Sequence, residues 1–332
     1  YYKGLGYLNP GVSYRFTDGR LEFEITKGKS LKVRFEGNTV FSAKQLMKEI
    51  PFFEAGEVRD DLIEDTSRKI LSLYYSKGYA FAQIAPVMTD TVGESGSALE
   101  LSVFIFEGES VTVEALTFSG MTLNEKKLKD ILPLKEGDDY NPELLSSVLD
   151  VVREFYIALG YLSVELKEPV VSIDKGHATI AIQVKEGAQT LIERVGIRGY
   201  ASIPVDEIQK AIRLKPGDPY NEVDIADARL RIMDVYQDRG FLDVLVNARV
   251  DMSEQGALLT FETQEGEKTF VGKTIITGNV GTRREVIMRE LIHKESEALS
   301  YATLAKERQK LYKLGLFTTV KIEGLDRYDH LR

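Results

Sequence analysis

The chain has no cysteine, only three histidines and no long apolar run, and each shortage removes a class of function. Without thiols there is no disulfide, no thiolate nucleophile and no Cys-ligated zinc. His177, His293 and His330 are far apart and none sits in a His-Glu-x-x-His spacing, so all three read as surface residues rather than ligands. The turns at Asp138-Asp139 and Asp218 carry too few oxygens, in the wrong order, for an EF-hand. No stretch reaches the roughly 18 apolar residues of a membrane helix, and the most apolar pattern, 99–106, alternates like a strand. Basic runs are short and the net charge is −9, which argues against nucleic acid as a partner. No nucleophile with a base and no carboxylate pair stands out, so the chain reads as a non-enzyme that needs no cofactor or metal.

What is present fits folded protein: 43% hydrophobic and 29% charged residues over 332 positions, enough to build real cores. Length alone suggests about two domains of roughly 150 residues. An internal repeat overrides that expectation. A Tyr stands four residues before a Gly followed by an aromatic at Tyr2/Gly6-Tyr7, Tyr74/Gly78-Tyr79, Tyr156/Gly160-Tyr161 and Tyr236/Gly240-Phe241, with a shortened copy at Tyr312/Gly315-Leu316-Phe317. The separation, about 70 to 80 residues, suits a small domain and exceeds any solenoid repeat.

Each of these glycines closes a helical pattern, such as Leu62, Ile63, Thr66, Ile70, Leu73 and Tyr74, where a left-handed residue is wanted. The Tyr, one turn earlier, is expected to pack on a sheet. Alternating strands follow, the second ending on Glu107-Gly108, Glu186-Gly187 or Glu265-Gly266, with the same face apolar each time: Leu101, Val103, Ile105; Ile180, Ile182, Val184; Leu259, Phe261, Thr263. Upstream, a strand closes on Gly37, Gly120, Gly199 or Gly278, and two helices follow. The helices are joined by a turn written as Lys135-Glu136-Gly137-Asp138-Asp139-Tyr140-Asn141 and Lys215-Pro216-Gly217-Asp218-Pro219-Tyr220-Asn221, whose Asn is placed to cap the second helix.

The fold class is therefore α+β, each unit running strand-helix-helix-strand-strand with a helix pair on one face of a three-stranded mixed sheet. Counting reversals makes the first and last strands parallel, the last central and the middle one an edge. The boundaries fall at 1–28 (the later part of a unit, since Leu21, Phe23 and Ile25 precede Lys27-Gly28 in the same register), 29–108, 109–187, 188–266 and 267–332 (a unit that lacks its final strand). The opening Tyr1-Tyr2-Lys3-Gly4 carries neither Met nor a signal region and reads as a mature or cut segment without its targeting signal. The first full unit differs from its neighbours, with a longer polar hairpin at 89–97 and Phe52-Phe53-Glu54-Ala55-Gly56 in place of Lys-x-Gly-Asp.

This unit, with Gly-Asn closing the first strand and Gly-aromatic opening the second, resembles the POTRA domain, and tandem copies look like the periplasmic arm of BamA-like outer-membrane assembly factors. The resemblance covers nearly the whole chain. Thr277-Gly278-Asn279, Arg289-Glu290 and 311–317 are similar to the POTRA unit nearest the barrel, which implies at least five units and a C-terminal β-barrel beyond this chain. Five is the number familiar from BamA; two-partner secretion arms resemble two-unit chains and TamA-like arms three-unit ones. The implied partners are unfolded outer-membrane protein precursors, accessory periplasmic lipoproteins and the chain's own barrel, and the implied location is the periplasm. The resemblance places Arg289, Glu290 and Tyr312 facing an accessory lipoprotein and the barrel.

An edge strand offers unpaired N–H and C=O groups to an incoming extended peptide, with little demand on its sequence. Candidate edges are 80–88, with Phe81 and Gln83; 161–168, with Tyr161, Leu162, Ser163, Val164, Glu165, Leu166 and Lys167; and 241–250, with Asp243 and Leu245. The chief partner site is expected at 161–167. Pro86 and Pro169 suit strands that need not donate every hydrogen bond, and Lys, Glu and Pro also serve to block edges. A purely structural spacer and a secretion arm with one dedicated substrate are the other readings. Junctions as short as Gly108-Glu109-Ser110 and Gly187-Ala188-Gln189 imply limited hinging between units.

Overall fold

The structure, a computed structural model, describes residues 2–93 and 96–323. A hairpin of β1 (Gly11–Thr17) and β2 (Arg20–Thr26) comes first. The first full repeat holds β3 (Ser30–Glu36), α1 (Ala43–Leu46), α2 (Phe52–Ala55), α3 (Asp60–Tyr75), β4 (Gln83–Gly93) and β5 (Gly96–Phe106). The second holds β6 (Thr112–Ser119), α4 (Glu125–Ile131), α5 (Leu144–Ala158), β7 (Glu165–Leu166), β8 (Val170–Asp174) and β9 (His177–Lys185). The third holds β10 (Ile192–Arg198), α6 (Val205–Ile212), α7 (Glu222–Gln237), β11 (Leu245–Met252) and β12 (Ala257–Gln264), and α8 (Arg284–Glu290) and α9 (Tyr301–Lys313) close the described chain. Two compact units result, one of 1–155 with 164–186 and one of 156–163 with 187–332.

Sheet order is β3-β5-β4 and β10-β12-β11, and β6-β9-β7 with β8 also on β9. The first strand is parallel to the last in all three, so the last strand is central and the middle strand is the edge, as the sequence pattern requires. The third repeat shows why. Along α7, Ile225, Ala228, Ile232 and Tyr236 recur at helical spacing, and all are buried with α6 residues Ile208 and Ile212 against Val246, Leu259 and Phe261. β12 alternates buried and half-buried residues, because one face meets the helix pair and the other does not. Asn221 caps α7, its side chain accepting from the Val223 N–H at 2.8 Å. In the three full repeats the repeated Tyr is fully buried, and the aromatic after the Gly stacks on it edge to face: Tyr74 with Tyr79, Tyr156 with Tyr161 and Tyr236 with Phe241, ring centroids 5.6–6.1 Å apart.

Several expectations need correction. The edge strands begin later than the alternation suggests, at Gln83, Glu165 and Leu245, because a turn follows each Gly-aromatic pair. Phe81, Leu162, Ser163 and Asp243 lie in those turns. The second edge is also split: β7 spans two residues, and the register slips by one across Glu168-Pro169 before β8 resumes. Proline cannot donate to the ladder, and the strand bends there. Thr274–Thr277 forms no strand, since no third strand lies beside it among the described residues. His293 is not a surface residue: its side chain is 12% exposed and bonded to Glu307. His177 is exposed, as expected, whereas His330, the hairpin tip at 94–95 and 324–332 lie outside the described residues. β1 and β2 pair Val12 with Ile25, Tyr14 with Phe23 and Phe16 with Leu21, all exposed.

Candidate partner-binding edges

Each edge strand is held by its ladder with the central strand, and the central strand is in turn fixed by a carboxylate whose bonds spacing alone did not reveal. The Glu that ends each central strand turns back to the loop after the first strand. Glu107 accepts from the N–H groups of Thr39 (2.7 Å) and Val40 (2.9 Å), from the Thr39 hydroxyl and from the Tyr74 hydroxyl (2.8 Å). Glu186 accepts from the Thr122 N–H and hydroxyl at 2.7 and 2.6 Å. Glu265 accepts from the N–H groups of Ala201 and Ser202, the Ser202 hydroxyl and, at 3.2 Å, the Tyr236 hydroxyl. The two repeated motifs, the Tyr before the Gly and the Glu-Gly pair, thus form one clasp in the first and third repeats.

Burial pushes the Glu265 carboxyl up, but its bonds from Ser202, Ala201 and Tyr236 outweigh that and hold it below the usual carboxylate range; Glu107 behaves alike with Thr39, Val40 and Tyr74. The same pairing, after burial, raises the Tyr74 and Tyr236 hydroxyls. For a carboxyl depressed on folding, the stabilisation is present above its unfolded pKa, near 4.5, and is lost as pH falls through the lower folded value. Stability should therefore fall with acid below about pH 4.5, and Glu265→Gln should flatten that acid limb for the third repeat. Hydrogen exchange of β10–β12 amides across pH 3–7 would check it; an unchanged acid dependence in the variant would remove Glu265 from the clasp.

The open edges differ in kind. β4 is the longest, at eleven residues, but Pro86, its fourth residue and opposite Val103, lacks an N–H. On the second edge Glu165 faces Lys185 across the strands, and their side chains form a 2.9 Å ion pair. Leu162, Ser163, Glu165 and Lys167 are exposed, Val164 and Leu166 half-buried, and Tyr161 is spent on packing against Tyr156. β11 pairs without slippage from Leu245–Gln264 to Met252–Ala257, contains no proline, and exposes Leu245 and Met252. Phe81, Gln83 and Asp243 are exposed as well.

In the last helix pair Arg289 is exposed and touches Glu290 at 3.5 Å, and half-exposed Tyr312 accepts from the Val320 N–H at 3.1 Å. Sequence reasoning missed the group that organises this pair. Glu307, fully buried, accepts from the N–H groups of Ile292 and His293 at 2.6 and 2.7 Å and from His293 Nδ1 at 2.8 Å, while His293 Nε2 lies 2.8 Å from the Thr274 hydroxyl. In the third repeat Arg231 has the matching duty with opposite polarity, donating to the carbonyls of Ala211 and Ile212. Either way a side chain of the second helix bonds the backbone where the first helix stops: Arg231 the carbonyls left without helical partners at the end of α6, Glu307 the N–H groups of the residues just past α8. A charged residue on an otherwise apolar helix face was the available signal.

The POTRA model, described as a surface antigen variable number repeat, matches three times, over 31–108, 111–187 and 190–266. The chain belongs to the POTRA family. It is 22% identical over 282 residues to the outer membrane protein assembly factor BamA of Nitratidesulfovibrio vulgaris, covering 80% of this chain and 35% of that protein. With BamA of Neisseria meningitidis serogroup B it shares 24% over 267 residues, 76% of this chain and 33% of the relative. It thus spans about a third of the curated relatives it matches. Among solved structures, POTRA3-5 of Haemophilus influenzae BamA covers 71% of this chain and 96% of its own, with 18% identity and a TM-score of 0.37. Among the described residues no helix is long and apolar enough to cross a membrane.

Proposed function

We propose that this POTRA array is the periplasmic arm of an outer-membrane β-barrel assembly factor and that it receives extended segments of unfolded barrel precursors by main-chain pairing at its open edges. The observation that carries the reading is β11, an edge of eight residues in unbroken register with no proline. Such an edge adds a peptide strand through backbone hydrogen bonds that read little sequence, which suits clients that share strand character rather than a motif. Exposed Leu245 and Met252 at its two ends offer apolar contact, while Arg249 and Asp251 on the strand, with Asp243 in the turn before it, discourage the free edge from pairing with its own kind. The second edge, with Glu165, Leu166 and Lys167 flanked by the turn at 161–164, and β4, with Gln83 beside Phe81, are shorter or interrupted stretches of the same site type. Arg289, Glu290 and Tyr312 are the candidate contacts for an accessory lipoprotein and for the barrel, the part of the relatives that this chain does not span.

A proline scan over Asn247, Ala248 and Arg249 tests this, since neighbouring positions direct their N–H groups to opposite sides of the strand. Crosslinking from a photoreactive residue at Leu245 to a peptide copied from a barrel strand should be lost in at least one folded variant. Unchanged crosslinking in every folded variant would remove β11 as the receiving edge. In cells, recovery of many barrel precursors supports an assembly arm; recovery of one secreted protein would mark a dedicated secretion arm instead.

A further inference from the structure

The inter-helix turn and the glycine after each repeated Tyr have one more relation, and it recurs three times with nearly the same distances. In the first copy, the Val111 N–H donates to the Gly78 carbonyl at 2.8 Å, and the Val111 carbonyl accepts from the Tyr140 N–H at 2.8 Å. The second copy is Thr190 between Gly160 and Tyr220, at 2.8 and 2.9 Å, and the third is Thr269 between Gly240 and Leu299, at 2.7 and 3.0 Å. Two residues on, Val113, Ile192 and Val271 each exchange two further bonds with the same turn, donating to Asp138, Asp218 and Glu297 and accepting from Gly137, Gly217 and Ser296 at 2.8–2.9 Å. The stretch that enters a repeat is therefore zipped to that repeat's inter-helix turn and bonded at its first residue to the preceding helix end.

We propose that Val111, Thr190 and Thr269 are backbone latches, each bonding the end of one repeat's second helix to the inter-helix turn of the next, and that the glycine of the Tyr-x-x-x-Gly pattern exists to admit the latch. Gly78, Gly160 and Gly240 have φ of +78°, +85° and +96°, and a Cβ on them would lie 2.7, 2.4 and 2.7 Å from the latch carbonyl. No side chain fits there. The turn is closed on itself to present its backbone to the latch: the side chains of Asp138 and Asp218 accept from the N–H groups of Lys135 and Lys215, Gly137 and Gly217 take φ near +90°, and the Asp138 and Asp218 N–H groups donate back to the Lys135 and Lys215 carbonyls, leaving the Tyr140 and Tyr220 N–H groups to reach the latch. The last copy keeps the pattern with Ser296 at φ +68° and Glu297 in place of Asp, although Thr274–Thr277 there forms no strand. Hence the latch does not depend on a completed sheet. A short junction with two or more backbone bonds through one residue restrains motion that chain length alone would allow.

The absence of cysteine makes the test direct, because spin labels can be placed at Ala226→Cys on α7 and Lys310→Cys on α9 of the 332-residue chain. The parent is expected to give one narrow distance distribution. Gly240→Ala, which blocks the latch, and Thr269→Pro, which removes its N–H donor while leaving Gly240 intact, should both broaden it and raise amide exchange at Leu299 by about tenfold. Gly217→Ala, at a left-handed position where a Cβ meets nothing within 4 Å, should leave the α7–α9 distribution as it was. If Gly240→Ala prevents folding, Thr269→Pro decides alone. A folded Thr269→Pro variant with the parent's distribution and Leu299 exchange would overturn the latch.

Discussion

Gly199→Ala is expected to destabilise the third repeat by about 3 kcal/mol, combining the left-handed strain of a Cβ-bearing residue with overpacking against a backbone that cannot yield. Gly199 has φ +77°, and a Cβ there would fall 2.1 Å from the Thr263 carbonyl, in the central strand two residues before the clasping Glu265. Gly37 and Gly120 stand in the same relation to Ile105 and Val184, at 2.1 and 2.2 Å. The close crossing brings the next loop's N–H groups onto the Glu, so the substitution should release the clasp as well. Gly217→Ala supplies the comparison: φ is +91° but the space is open, so only the strain of about 1 kcal/mol remains. A repeat array need not unfold in one step, so the measurement is exchange protection of β10–β12 amides rather than a single melting midpoint. Equal losses in the two variants would show that the crossing contributes nothing beyond its φ.

Tyr236→Ala is expected to cost about 4 kcal/mol, the scale of removing a large ring from a packed core, whereas Tyr236→Phe should cost about 1–2 kcal/mol, the value of one hydrogen bond to a charged acceptor. The ring is fully buried, stacks on Phe241 at 5.9 Å, and its hydroxyl reaches Glu265 at 3.2 Å. The gap between the variants separates the packing role from the clasp. It can be read from the same β10–β12 exchange, and a Phe variant as damaging as the Ala variant would mean that the hydroxyl, not the ring, holds the repeat. Because β11 is the edge that packs beside this core, loss of protection there should accompany loss of peptide crosslinking at Leu245.

Much of this was legible in the chain because the repeat supplied its own controls. Three copies of Glu-Gly in one apolar register, at Glu107, Glu186 and Glu265, revealed the central strand, and the count of reversals then made the middle strand an edge. The edges themselves were less legible. Leu242, Val244 and Val246 alternate from just after the Gly, yet the ladder starts only at Leu245: alternation records which face is buried, and a turn residue over a core is buried like a strand residue. The surface reading of His293 failed for a related reason. Spacing along the chain tests for ligands and says nothing about a carboxylate fourteen residues later that folds onto the imidazole.

The repeat, its order of elements, the buried side of each sheet and the lack of thiols could all be read along the chain, because periodicity and composition are local properties. What the repeated polar residues are for emerged from the folded contacts. That Glu265 and Tyr236 meet over Ser202, that Thr269 joins Gly240 to Leu299, and that β11 alone among the three described edges runs unbroken by proline or slippage are facts of distance between segments tens of residues apart. Hydrogen bonds join donors and acceptors across space, and the chain brings those groups together only when the helix pair has buried its apolar face.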